Sequence, residues 1–367
     1  MATHVPVPPQ VFYIIDTVVD QLSKDPNRKF IYVETGFFAR WWEQAPDWKR
    51  DVATKIVKAK QLEFINGGWC MHDEASPLWT AMVDQTTRGH QFILKNFGVE
   101  ASPRGTWQID PFGHSNTEAW LLGSEAGFES LFWGRMDWQD RTMRYKKQQG
   151  TNGFEWIWQG SSSLGASADI FAGNLFQTGG GGYATWISFD GSGDQVNDDP
   201  ARHDYNVDAW VDKFVQDALN QANHTLSTHQ MWACGTDFQY QSADHWYANL
   251  DKLIHYVNLN GTVNAFYSTP SLYVDEKKKW KGSFERRADD IFPLADNSHN
   301  CTPSLALSAT PSRAQLHATP RATPRLAPRH ASRHASPRAT PRLATYPHAS
   351  SPPHPQTGRA TSPRARP

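Results

Sequence analysis

The chain has 367 residues, with 36 Lys and Arg against 37 Asp and Glu and a formal net charge of −1. That average joins two unlike parts: residues 301–367 carry ten Arg, no acidic residue and 13 of the 24 Pro, which leaves 26 basic and 37 acidic residues, or −11, in residues 1–300 together with all 16 Trp. There is no apolar run of about 18 residues to cross a membrane as a helix, three widely spaced Cys make neither a disulfide framework nor a zinc ribbon, and the acidic first part is not a nucleic-acid binder by bulk charge.

The first ten residues lack the basic and apolar regions of a signal peptide. Val11, Phe12, Ile15, Val18, Val19 and Leu22 recur at helical spacing, and Asp25-Pro26 ends that helix. A short β-branched and aromatic run at 30–34 predicts a strand. Residues 47–60 predict a helix with Asp47 as its N-cap. A strand at 62–66 closes on Gly67-Gly68, a helix follows at 81–97, then a strand at 105–109 and a helix at 115–126 capped by Ser115. Further strands are expected at 130–134, 154–159, 230–235 and 262–267, with helices around 207–223 and 243–257 between the last three. Seven strand-like runs separated mostly by helices predict an α/β domain with a largely parallel sheet, open or closed into a barrel.

Residues 161–201 are rich in Gly, Ser and Asp and include four glycines at 179–182. No strand precedes that run and no helix opening with Lys-Ser/Thr follows it, so it reads as a long surface loop rather than a phosphate cradle. After Asn300 the chain falls into near-repeats such as Ala-Thr-Pro-Arg and His-Ala-Ser-Pro-Arg. With no recurring apolar face this is a low-complexity tail, not a solenoid. It fits a disordered basic arm for nucleic acid or acidic surfaces, an inert tail, or an out-of-frame coding end. Sequons at Asn223, Asn260 and Asn300 lean slightly towards secretion.

Two segments carry the candidate chemistry. In Gly105-Thr-Trp-Gln-Ile-Asp110-Pro-Phe-Gly-His114-Ser an apolar strand runs into a carboxylate, and Pro111 keeps Asp110 extended. In Met231-Trp-Ala-Cys-Gly-Thr-Asp237-Phe-Gln-Tyr240 the same order recurs. Taken singly, each Asp reads as a turn or a helix cap. Taken together, two strand-end carboxylates beside aromatics are the layout of a glycosidase, with one as nucleophile or base and the other as proton donor. A third polar cluster, His72-Asp73-Glu74, follows the second strand. Neighbours on an extended chain face opposite ways, so joint metal ligation by His72 and Asp73 is disfavoured.

These phrases, with Phe37-Phe-Ala-Arg-Trp-Trp-Glu-Gln, Gly67-Gly-Trp-Cys-Met-His-Asp-Glu-Ala and Phe132-Trp-Gly-Arg-Met-Asp, resemble the glycoside hydrolase family 38 α-mannosidases, most closely the lysosomal type, over roughly residues 10–299. The resemblance implies an incomplete seven-stranded-type β/α barrel over 1–299, followed by a disordered Arg/Pro-rich tail over 300–367. It implies retaining hydrolysis of terminal α-linked mannose from glycans, with a zinc ion, in a lysosomal or related acidic compartment of the secretory pathway. Asp110 matches the nucleophile and a zinc ligand, Asp237 the general acid/base, Phe112 and Arg135 residues of the sugar pocket, Tyr183 a substrate-contacting Tyr, and His299 a late zinc ligand. An Arg near the nucleophile would keep its carboxylate ionised. Mannose-containing glycans are the implied partners; no membrane and no nucleic acid is expected.

The departures are specific. The family's His-X-His-X-Asp strand, source of two of its four protein zinc ligands, is absent from the sequence, and Leu294 stands where the family has a Tyr. The match stops abruptly at His299, which favours the out-of-frame reading of the tail. The expectation is therefore weak zinc binding and little or no hydrolysis by this chain. A zinc polysaccharide deacetylase on the same kind of barrel and an inactive glycan-binding remnant are the competing readings.

Overall fold

The structure is a computed structural model, and it describes residues 9–146, 153–176, 185–190 and 195–295. All of these lie in one compact unit, Met1–Ala309; the tail lies outside the described residues.

Helix α1 (Pro9–Leu22) forms as its spacing predicts, and Ile15, Val18, Val19 and Leu22 are buried on one face. They pack with Phe38 and Trp41 of α2 (Thr35–Gln44), with α3 (Asp47–Lys58), and with Trp246, Tyr247, Leu250 and Leu253 of α8 (Ala243–Asn260) around the parallel pair β1 (Phe30–Tyr32) and β2 (Leu62–Phe64). Each such side chain removed from water contributes about 1.5–3 kcal/mol. Helix α2, which buries Phe38, Ala39 and Trp41, is absent from the sequence reading.

The second sheet has the order β3-β4-β6-β5-β7, with β3 at Gly105–Gln108, β4 at Ser130–Trp133, β5 at Glu155–Gln159, β6 at Asp169–Asn174 and β7 at Glu285–Arg287. Here β3, β4 and β6 run parallel, β5 is antiparallel to β6 and β7 is parallel to β5. Trp133, Trp156, Trp158 and Ile170 are buried together beneath α5 (Asn116–Trp120). Asn66 links the two sheets. Its side-chain amide pairs with Trp107 as a strand residue would, Oδ1 accepting from Trp107 N at 2.6 Å and Nδ2 donating to Trp107 O at 2.8 Å, and its own N–H donates to Gly105 O at 3.0 Å. Helix α4 (Trp79–Phe97) rides on the turn after β2, where a Cβ on Gly89 would lie 1.9 Å from the Gly67 carbonyl oxygen.

The described strands make a pair and a mixed five-stranded sheet, the expected α/β arrangement, with no closed ladder among them. Two expectations are corrected. Segments 230–235 and 262–267 make no ladder with any described strand. Ala265, for example, pairs through both backbone groups with the side chain of Asn258, which satisfies them locally. Finally, residues 161–201 are not one long loop: β6 sits inside them, its short apolar run masked in composition by Gly and Ser on either side. The chain continues through α6 (Trp138–Tyr145), capped by the Asp137 carboxylate, α7 (Val207–Ala222), and α9 (Pro270–Lys279), opened by the Thr269 hydroxyl and Pro270.

Candidate active site

One cleft of about 1980 Å³ runs along the chain ends that follow β1, β2, β3 and β4, and residues 230–238 and 263–268 line its other side. Strand β1 delivers Glu34, the turn after β2 delivers Met71, β3 delivers Asp110 and β4 delivers Arg135. Loops at the C-terminal ends of parallel strands are where α/β folds place ligands, because the strand ends converge there and leave their loops free of the sheet. Among the described residues no helix is long and apolar enough to cross a membrane.

Asp110 is exposed, and its carboxylate makes no hydrogen bond to a described residue. Its backbone is held instead: N–H faces Met71 Sδ at 3.4 Å, and the carbonyl accepts from Arg135 Nε at 3.2 Å. The Arg135 guanidinium also lies over the Phe112 ring, 4.5 Å from its centroid. Arg135 thus ties Phe112 and Asp110 into one wall, but it reaches the carbonyl of Asp110 and not the carboxylate expected from the sequence. Asp237 is exposed in the same cleft, in the turn before α8.

Glu34 lines the same cleft and is the functional candidate that sequence reasoning passed over. Burial pushes its carboxyl up; the Met71 N–H bonding Oε1 at 3.2 Å opposes this, and the negative charges of Asp110 and Asp237 add to the rise. The signal was present, since Glu34 ends its strand as Asp110 does. Tyr183 and His299 lie outside the described residues.

Behind Asp110 is a buried polar clamp. Glu74 accepts from His114 Nδ1 at 2.8 Å, from the Ser115 N–H at 2.8 Å and from Gln108 Nε2 at 3.2 Å, so one carboxylate holds both ends of the segment that carries Asp110. His72 points into the same cluster. Its Nδ1 is 2.6 Å from Glu118 Oε1, and its Nε2 is 2.9 Å from Thr86 Oγ1, whose own proton goes to Met82 O. Nε2 therefore donates to Thr86, and Nδ1 shares a proton with the Glu118 carboxyl. Asp73 faces outward and accepts from the Ala75 N–H at 2.8 Å.

Burial alone would pull the His72 ring down, but the bond and charge of Glu118, with Glu74 behind it, carry it above its ordinary value. A raised folded-state value means that this stabilisation is fully present below about pH 6.5 and is lost as pH rises through the folded value. The stability measured by urea denaturation should therefore hold in mild acid and fall above about pH 6.5, by at most roughly 1.4 kcal/mol per pH unit from this group. In His72→Gln that fall should flatten; an unchanged slope would remove His72 as its cause.

The zinc ion that the resemblance implies finds only part of a donor set. Among the described residues no group of three or more His, Cys, Asp or Glu is placed to hold a metal. Asp110 offers one carboxylate, and His72 has no free nitrogen. The described residues do not fit a metal centre by themselves.

The family model for the N-terminal domain of glycosyl hydrolases family 38 matches residues 5–297. The chain is 50% identical over 286 residues to a probable alpha-mannosidase of Arabidopsis thaliana, covering 77% of this chain and 27% of that protein. It is 47% identical over 286 residues to the alpha-mannosidase of Canavalia ensiformis, 77% of this chain and 28% of that one. Against the lysosomal alpha-mannosidase of Homo sapiens it is 40% identical over 301 residues, 79% and 29%. A solved alpha-mannosidase from Enterococcus faecalis shares the fold, with a TM-score of 0.55 at 16% identity over 77% of this chain and 28% of that one. The chain thus spans between a quarter and a third of the length of these relatives, and the match runs from α1 through the Asp110 and Asp237 loops to the end of the described residues. On that continuous match, the chain belongs to glycosyl hydrolases family 38, within its N-terminal domain.

Proposed function

We propose that this chain is the catalytic part of a retaining α-mannosidase acting on terminal α-linked mannose of glycans. The observation that carries the reading is that Asp110, Asp237 and Glu34 line one cleft, with the exposed rings of Phe112 and Phe238 close in sequence to the two aspartates. In this reading an Asp110 carboxylate oxygen attacks the anomeric carbon as the glycosidic C–O bond breaks, and Asp237 gives its proton to the leaving oxygen. Water then attacks the same carbon, Asp237 takes the water's proton, the ester bond breaks and Asp110 returns to a carboxylate. Phe112 supplies a face to the sugar and Arg135 sets the height of the Asp110 loop; Tyr183 is a proposed further contact. The catalytic unit is placed at 1–299 and the basic tail at 300–367.

A zinc ion held by Asp110 and His299 would need donors beyond the described residues, and turnover by this chain is expected to be slow. The lysosomal names among the relatives support an acidic compartment of the secretory pathway. Slow turnover calls for a covalent probe. A 2-deoxy-2-fluoro-α-mannosyl fluoride should leave a fluoromannosyl ester on the peptide carrying Asp110, read by peptide mass mapping, and Asp110→Asn should abolish it. An ester mapped to another carboxylate would displace Asp110 as nucleophile. The absence of both labelling and mannose release from an aryl mannoside would remove the mannosidase reading.

A further inference from the structure

Beside Asp237 the backbone twice enters the left-handed region at side chains that resist it: Phe238 has φ 61° and Tyr240 φ 69°. Tyr240 is accounted for by packing. It is buried, stacks on Trp246 with centroids 4.2 Å apart, meets the edge of Phe30 at 5.2 Å, and donates its hydroxyl to Cys234 O at 3.0 Å. Phe238 has no such return. Its side chain belongs to none of the three apolar clusters, makes no ring contact among the described residues and stands 59% exposed, facing the cleft.

The turn that holds Phe238 there is fixed by its neighbours. A Cβ on Gly235 (φ 128°) would come within 2.9 Å of the Tyr240 ring, so only glycine lets that ring close over the turn. Gln239 accepts from the Thr236 N–H at 2.8 Å and donates to Ser188 Oγ at 3.1 Å, and Gln241 Nε2 donates to Phe238 O at 3.1 Å. A strained backbone, held by its surroundings in order to present an apolar ring to solvent beside a carboxylate, points to a ligand surface rather than to the core. Two more exposed rings, Phe112 and Phe266, face the same cleft, and the CH faces of a sugar ring match such surfaces.

The two aspartates have different proposed duties. Phe112 neighbours Asp110, on the side where the sugar to be transferred must sit. Phe238 neighbours Asp237, on the side of the leaving oxygen. We propose that Phe238 is a specificity-determining residue whose ring stacks on the sugar on the leaving-group side of the scissile bond, so that the cleft prefers an α-linked mannose disaccharide or longer glycan to a simple alkyl mannoside. The inference rests on the mannosidase reading and deepens it.

The test uses the full chain as wild type, Phe238→Gly and Phe238→Trp, titrated by calorimetry with methyl α-mannoside and with α-linked mannobiose, alongside thermal denaturation. Wild type should bind mannobiose about three- to tenfold more tightly than methyl mannoside, the worth of one aromatic stacking contact. Phe238→Gly should erase that preference, leave the affinity for methyl mannoside unchanged and keep or raise Tm, because glycine relieves the left-handed strain while little packing is lost. Phe238→Trp should keep the preference. A preference that survives in Phe238→Gly would overturn the stacking role, and so would a Tm lower by several degrees with both affinities reduced alike, which would mark Phe238 as structural. Wild type binding neither sugar would overturn the mannosidase reading and this inference with it.

Discussion

Asp110→Asn is expected to lower hydrolysis of an aryl α-mannoside by roughly 10³-fold or more, about 4 kcal/mol in the barrier, while leaving the fold intact. The two halves of that expectation have separate causes. In its proposed role as nucleophile, Asp110 would form a bond to the anomeric carbon, and an amide oxygen attacks poorly because it must carry positive charge once bonded. The fold should not notice the change. The carboxylate is exposed and has no hydrogen-bond partner among the described residues, and the contacts that set the loop are made by backbone atoms that the amide retains. Urea denaturation should therefore agree with wild type within about 0.5 kcal/mol. A variant that loses turnover and stability together would assign Asp110 a structural duty instead.

Lys277→Met should do the reverse and destabilise the fold by about 3–5 kcal/mol, because removing one member of a buried ion pair leaves its partner's charge out of water. Lys277 is 2% exposed, and its Nζ lies 2.8 Å from Glu155 Oε2 on β5, 122 residues away in sequence. Tyr273, one turn earlier on α9, donates its hydroxyl to the other carboxylate oxygen, and Lys277 Nζ also lies over the Tyr273 ring at 4.9 Å. The pair holds α9 against β5, the strand of Trp156 and Trp158, and α9 in turn carries the residues that wall the cleft at Leu272, Tyr273 and Glu276. Pairing Lys277→Met with Glu155→Leu should recover much of the loss, since the stranded charge goes with it. If the double variant is as unstable as the sum of the two single ones, the charge account fails.

Much of the architecture could be read locally. The spacing in α1, α3, α4, α7 and α8 marks their buried faces, and the β-branched and aromatic runs mark β1 to β5. The Asp110 and Asp237 phrases stand out because an apolar run meeting a carboxylate and then aromatics is uncommon within so few residues. Elements whose reason lies in a distant partner were hidden. β7 reads as Glu-Arg-Arg with no apolar signal and exists because β5 offers it a free edge. Lys277 in the run Lys277-Lys-Lys looks like solvated charge until Glu155 is found facing it. His72, Glu74, His114 and Glu118 are spread over 47 residues, and nothing local says that they share one buried cluster.

The family and the two candidate carboxylates were therefore determined by the sequence alone, because both depend on residue types in fixed local order. Which groups meet was decided only by the tertiary structure. It brought Glu34 to the cleft that Asp110 and Asp237 line, sent Arg135 to a backbone carbonyl, left 230–235 and 262–267 outside the described ladders, and set Phe238 in the wall of the cleft. Electrostatic shifts, buried ion pairs and the closure of a sheet all depend on distances between residues far apart in the chain, and a linear order of side chains does not contain those distances.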